Sequence, residues 1–101
     1  MIIYNITIKV DASIQSEWLD WLKKEYIPGI LSTGCFHKAK ILQLLEIDDS
    51  EGPTYAIQFH AESKAFYNLY IEKFSGIMLR KSFDKWGDQF ISFQTVMRIV
   101  N

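Results

Sequence analysis

The chain has one cysteine, Cys35, among its 101 residues. An intrachain disulfide is therefore excluded, and a reducing, cytoplasmic setting fits best. Only two prolines and five glycines punctuate it. There is no linker, no internal repeat and no low-complexity segment, so residues 1–101 read as a single domain. No apolar run approaches the ~20 residues needed to span a bilayer. The opening Met1-Ile2-Ile3-Tyr4-Asn5 has neither the basic stretch nor the cleavage site of a secretory signal. Charge of one sign is missing too: Lys and Arg number 11 and Asp and Glu 12, for a net charge of −1. Lys23-Lys24 and Arg80-Lys81 are the only basic pairs. Nucleic-acid binding is disfavoured, because affinity for phosphate backbones needs concentrated positive charge. Binding to an anionic membrane surface is disfavoured on the same ground.

What the chain does have is aromatic side chains, at 15% of residues, and a clear order of periodicities. Ile2 to Val10 alternates every second residue, with Tyr4, Ile6, Ile8 and Val10 on one side, which predicts a half-buried strand. Asp11 and Ser13 supply helix-start chemistry. Ile14, Trp18, Trp21 and Leu22 then recur at helical spacing. Pro28 is expected to stop or bend that helix near Tyr26 or Ile27, with a further turn possible before Gly34. Cys35 to Ile47 reads as a second strand, irregular at Leu44-Leu45. Asp48 to Pro53 reads as a hairpin turn and Thr54 to Ala61 as the third strand. Ser63 caps a second helix carrying Phe66, Leu69, Tyr70, Phe74 and Ile77, and Ser75-Gly76 is placed to kink or split it. Phe90 to Val100 completes the set as a fourth strand.

The order β-α-β-β-α-β predicts a ferredoxin-like α+β domain, a four-stranded antiparallel sheet with two helices on one face. Sorting strands by alternation assigns Tyr4, Ile6, Ile8, Tyr55, Ile57, Phe59, Ile91, Phe93 and Met97 to the helix-covered face. The opposite face then holds Ile3, Asn5, Thr7, Thr54, Ala56, Gln58, His60, Phe90, Ser92, Gln94 and Val96. It reads as neutral, rich in amide and hydroxyl groups, and edged with apolar side chains. Its area is on the order of 500 Å2 from strand spacing and length, against about 800 Å2 per partner in a standard interface. A homodimer closed through or around this face is expected.

Tyr4-Asn5-Ile6-Thr7, Trp18 with Trp21, Ile27-Pro28 followed by Thr33-Gly34, and Phe93-Gln94-Thr95 resemble a small domain family of unknown function that is common in Bacteroidetes. The resemblance runs over essentially the whole chain. That family is similar to the dimeric α+β barrel group, which includes the antibiotic-biosynthesis monooxygenases. The resemblance implies the fold and a dimer; it brings no activity and no catalytic residues.

Candidate chemistry is thin. His60, beside Gln58, titrates near neutrality and could move a proton or bind metal, although a strand histidine at an interface is the commoner role. Cys35-x-His37 with His60 offers three soft ligands without the paired spacing of a zinc site, so no metal and no cofactor is expected. Glu46, Asp48, Asp49 and Glu51 lack the order of a calcium loop. There is no phosphate-binding glycine loop and no nucleophile elbow. Two places remain for a ligand. One is the face of Asn5, Gln58, His60, Ser92 and Gln94; the other is an aromatic cleft formed by Trp18, Trp21, Tyr70 and Phe74. The expected function is a non-catalytic or small-ligand-binding homodimer. The alternatives are a monooxygenase-like enzyme acting on a planar aromatic substrate and a protein-interaction module using the open sheet face.

Overall fold

The computed structural model describes residues 1–101. The strands are β1 (Ile2–Val10), β2 (Lys38–Gln43), β3 (Thr54–Ala61) and β4 (Phe90–Arg98). The first helical arm is a short 3-10 turn (Ala12–Ile14), α1 (Gln15–Trp21), a π-helical turn (Leu22–Tyr26) and α2 (Ile27–Leu31). The second is α3 (Lys64–Lys73) followed by α4 (Ser75–Trp86). The strands form one antiparallel sheet in the order β2-β3-β1-β4. This is the ferredoxin-like α+β arrangement that the sequence pattern predicts.

Local chemistry sets the helix boundaries. The Asp11 carboxylate accepts from Ser13 N–H and the Ser63 hydroxyl from Phe66 N–H, each occupying an amide that the first turn leaves free. Pro28 does not stop the first arm. It has no N–H for the Lys24 carbonyl, and its ring crowds the preceding turn. The chain widens instead, with Ile27 N–H donating to Leu22 O five residues back, and then continues as α2. Gly34 ends the arm at φ 79°, a conformation that favours glycine. The second arm breaks at Phe74, where φ −125° departs from the helical value. Ser75 Oγ donates back to Ile71 O at 2.7 Å.

The molecule is a slab measuring 38 × 32 × 19 Å. Its thinnest dimension matches one sheet plus one layer of helices, at about 10 Å per layer. One sheet face is therefore core and the other has no second layer. The core runs from Tyr4, Ile6 and Ile8 on β1 and Tyr55, Ile57 and Phe59 on β3 to Trp18, Leu22 and Ile30 of the first arm and Tyr70 and Met78 of the second. Phe36 sits in the loop before β2, stacking on Tyr4 with ring centroids 5.8 Å apart.

Two expectations need correction. The second strand is shorter than predicted, because Cys35 and Phe36 enter the core from a loop before it and Glu46 turns left-handed at φ 58°. The face of β4 is also inverted. Its register sets Phe90 opposite Val10, Ser92 opposite Ile8, Gln94 opposite Ile6 and Val96 opposite Tyr4. Directly opposed residues share a face. Phe90, Ser92, Gln94 and Val96 are therefore on the helix side, and Ile91, Phe93 and Met97 are on the open side. β4 is the edge strand at one end of the sheet and the helices cover it incompletely, so its alternation does not report burial.

Candidate functional site

The open face forms rows across the sheet. Lys38, His60, Ile3 and Met97 make one row; Lys40, Gln58, Asn5 and Thr95 make the next; Leu42, Ala56, Thr7 and Phe93 make a third. Of the predicted face residues, Asn5, Gln58 and His60 come together here, and Asn5 Nδ2 donates to Thr7 Oγ1 at 3.0 Å. Ser92 and Gln94 do not join them, because they point to the helix side. The face is polarised as a result. Its β2 half carries lysines and no carboxylate, while its β4 half exposes Ile91 at 72% and Phe93 at 60%. The His60 pKa is pushed below its usual value, first by desolvation and then by Lys38, His37 and Lys40.

Of the four residues predicted to line one aromatic cleft, Tyr70 and Phe74 stay together, stacked with centroids 6.4 Å apart, while Trp18 and Trp21 pack elsewhere. Trp18 is fully buried and stacks on Tyr55, with centroids 5.5 Å apart, so it fills the core. Trp21 packs against Tyr26 and Trp86 near the end of α4. Tyr70 packs on Tyr4, Phe36 and Phe74.

Tyr70 does line a cleft, with different neighbours. It lies between β1, β4 and the α3–α4 break, has a volume of about 260 Å3, and is walled by Tyr4, Tyr26, Tyr67, Tyr70 and Gln94, with Gly76 and Leu79 among the residues of α4. The Tyr4 ring stands 5.6 Å from Tyr67 and 5.5 Å from Tyr70. None of the nine lining residues is charged. Tyr55, elsewhere in the core, accepts a hydrogen bond from Gln15 Nε2. The hydroxyls of Tyr4, Tyr67 and Tyr70 have no such partner. They are not sealed in either, since Trp86 Nε1 is the one enclosed side-chain polar atom left without a partner. Burial holds the Tyr4 and Tyr70 phenols far above the usual phenol range, and neighbouring phenols add to the effect. Both therefore remain hydrogen-bond donors at any physiological pH. Sequence reasoning missed Tyr4, Tyr26, Tyr67 and Gln94 as a group. The signal available was four tyrosines on inward positions of β1 and the two helical arms, and β4 read on the correct face would have added Gln94.

A wider hollow of about 600 Å3 lies among the loops at the end of the sheet, with Asp11, Glu51, Asp88 and Lys9 around it. Its lining comes mostly from solvated loops and chain ends. Cys35 is buried while His37 is exposed and lies 3.5 Å from Glu62, so the two do not converge. No three His, Cys, Asp or Glu side chains are grouped so as to hold a metal ion. No helix is long and apolar enough to cross a membrane.

The chain belongs to the family described as a domain of unknown function, DUF4286, whose model matches residues 1–100. No curated protein matches it. Among solved structures it is similar to a dimeric ferredoxin-like protein from an uncultured marine organism, with TM-score 0.73 and 10% identity over 99% of this chain and 95% of that one. A second dimeric ferredoxin-like protein, also from an uncultured marine organism, gives TM-score 0.69 and 18% identity over 100% and 96%. A monooxygenase of Streptomyces coelicolor solved with nanaomycin D gives 0.61 and 13% over 99% and 89%. At these identities the likeness establishes the fold.

Proposed function

We propose that this protein is a cytoplasmic homodimer, closed through its open sheet face, that binds a small neutral planar molecule in the tyrosine cleft. The observation that carries the ligand reading is the set of three unpartnered hydroxyls, Tyr4, Tyr67 and Tyr70, around a cleft without a charged residue. Protonated phenols donate to carbonyl or ether oxygens, and the aromatic walls favour a flat ring between them. A charged ligand finds no counter-ion there and is disfavoured by desolvation. The one serine of the cleft, Ser75, donates its hydroxyl to Ile71 O and no base lines the cleft to activate it, so binding is a better reading than covalent chemistry. The dimer reading is supported by the apolar half of the open face and by the two dimeric structures that share the fold.

The test is thermal unfolding with chromone, a neutral bicyclic aromatic ketone. A ligand at 100 times its Kd stabilises the folded state by about 2.7 kcal/mol, so a clear rise in Tm is expected. Tyr70→Phe removes a hydroxyl that holds nothing within the protein. It is expected to leave stability within about 0.5 kcal/mol of wild type and to abolish most of the chromone shift. A shift that Tyr70→Phe leaves intact rejects the cleft as the site.

A further inference from the structure

The outer surface of the helical layer carries a second groove, built by the π turn. Trp21, Tyr26 and Met78 line its apolar part, and the hollow measures about 480 Å3. It continues past Glu25 and Lys85 into a smaller hollow of about 200 Å3 that Trp86 lines. Tyr26 is the shared wall between this groove and the tyrosine cleft.

Three independent observations converge on it. The first is the π turn that Pro28 imposes, which places Glu25 and Tyr26 in the groove. The second is Trp86, only 7% exposed, whose Nε1–H has no acceptor. Native proteins seldom leave a buried donor unpaired. The third is the rim. Lys24 is paired with Asp20 at 3.1 Å, whereas Glu25, Lys81, Asp84 and Lys85 stand around the opening without ion-pair partners. Two cations, Lys81 and Lys85, and two anions, Glu25 and Asp84, thus surround an aromatic floor; Lys85 stands 5.4 Å from the Trp86 ring centre, and the unpaired Trp86 donor is enclosed beside the groove.

We propose that this groove binds a free amino acid with an aromatic side chain. The ring lies against Trp21, Tyr26 and Met78. The carboxylate takes the Trp86 N–H and a lysine charge, and the ammonium sits between Glu25 and Asp84. A molecule with only one of these charges leaves two like charges of the rim opposed to it. The Trp86 donor is enclosed in this conformation, so the indole tips toward the hollow to meet the ligand and its N–H reports on binding. This site goes beyond the tyrosine cleft and does not depend on it.

The protein has three tryptophans and so gives three indole N–H signals in a 15N-correlated NMR spectrum. The Trp86 signal is identified as the one lost in Trp86→Phe, and the Trp18 signal likewise from Trp18→Phe. L-phenylalanine is expected to move the Trp86 signal saturably at millimolar concentration and to leave Trp18 unmoved. 3-Phenylpropionate and phenylethylamine, which each lack one charge, are expected to bind about tenfold more weakly, the range lost with one charge-assisted hydrogen bond. Glu25 is exposed, so Glu25→Gln folds normally; it is expected to weaken phenylalanine about tenfold and, by removing a like charge, to strengthen phenylpropionate slightly. An unmoved Trp86 signal, equal binding of phenylpropionate and phenylalanine, or an unaffected Glu25→Gln variant would each overturn the proposal.

Discussion

At the scale of single residues, His60 carries the clearest electrostatic consequence of the open face. In the fold its proton is opposed by partial desolvation and by Lys38, His37 and Lys40, so its pKa is lowered. Unfolded, it titrates near the ordinary value of about 6.5. Between the two values the unfolded chain binds more protons than the folded one, so stability rises with pH across that window. The penalty is fully present below the folded pKa and gone above about 6.5. A urea midpoint higher at about pH 7.5 than at about pH 5.5 is expected, and His60→Gln should flatten the difference. Glu62 does not rescue the protonated form, because it lies against His37. An equal pH dependence in wild type and His60→Gln would assign the effect to other groups.

At the scale of elements, two glycines show how differently one residue type can be constrained. Gly52, in the β2–β3 hairpin, has φ 150°, and a Cβ there would stand 1.8 Å from Val10 O. The hairpin is laced to the end of β1 by Val10 N–H to Pro53 O and Ala12 N–H to Glu51 O, so neither side can give way. Gly52→Ala is expected to destabilise by several kcal/mol, about 3 or more. Gly76, in the first turn of α4, meets nothing within 4 Å, and Gly76→Ala is expected to stabilise by about 0.5–1 kcal/mol. Chemical denaturation of both variants checks the pair, and a neutral Gly52→Ala would disprove the close approach. The same contrast shows what the sequence could tell. Strong periodicity placed β1 and β3, and capping chemistry placed the helical starts at Asp11 and Ser63; burial alternates along β3, and β1, central in the sheet, keeps the same alternation of side-chain type although Ile3 and Asn5 are buried too. β4 misled because Ile91 and Phe93 are apolar yet exposed, and apolarity was taken for an inward face. Pro28 was only partly legible, since the pattern left a stop, a bend or one further turn open and does not indicate that a wider turn can absorb the proline. The tyrosine cleft depended on both: Gln94 needs the β4 register, and Tyr26 needs the turn before Pro28.

At the scale of the whole molecule, the asymmetry of the sheet edges bears on assembly. The β2 edge is six residues long and presents Lys38 and Lys40, the charge that natural sheets use to keep other strands away. The β4 edge is nine residues long, has no proline, and carries a single charge, Arg98, at its end. It exposes Ile91, Phe93, Val96 and Met97, and Ile99 and Val100 beyond it are exposed too. An edge of that kind left open invites association. A second copy laid on the open face covers this apolar half, and loops have to add area to reach the roughly 800 Å2 per partner of a standard interface. The expected solution mass by light scattering is therefore twice 11.8 kDa. Phe93→Lys separates assembly from folding. The side chain is 60% exposed in one chain, so the substitution should leave the unfolding midpoint of the monomer nearly unchanged. Placed between two sheets it buries an unpaired ammonium twice per dimer, a penalty of several kcal/mol per charge, roughly 3–5. That shifts a micromolar dimer to monomer, because every 1.4 kcal/mol is about tenfold in Kd. A Phe93→Lys protein that still elutes as a dimer would move the interface off this half of the sheet and onto the helices, where Phe66, Ile77 and Phe83 are the next exposed apolar side chains.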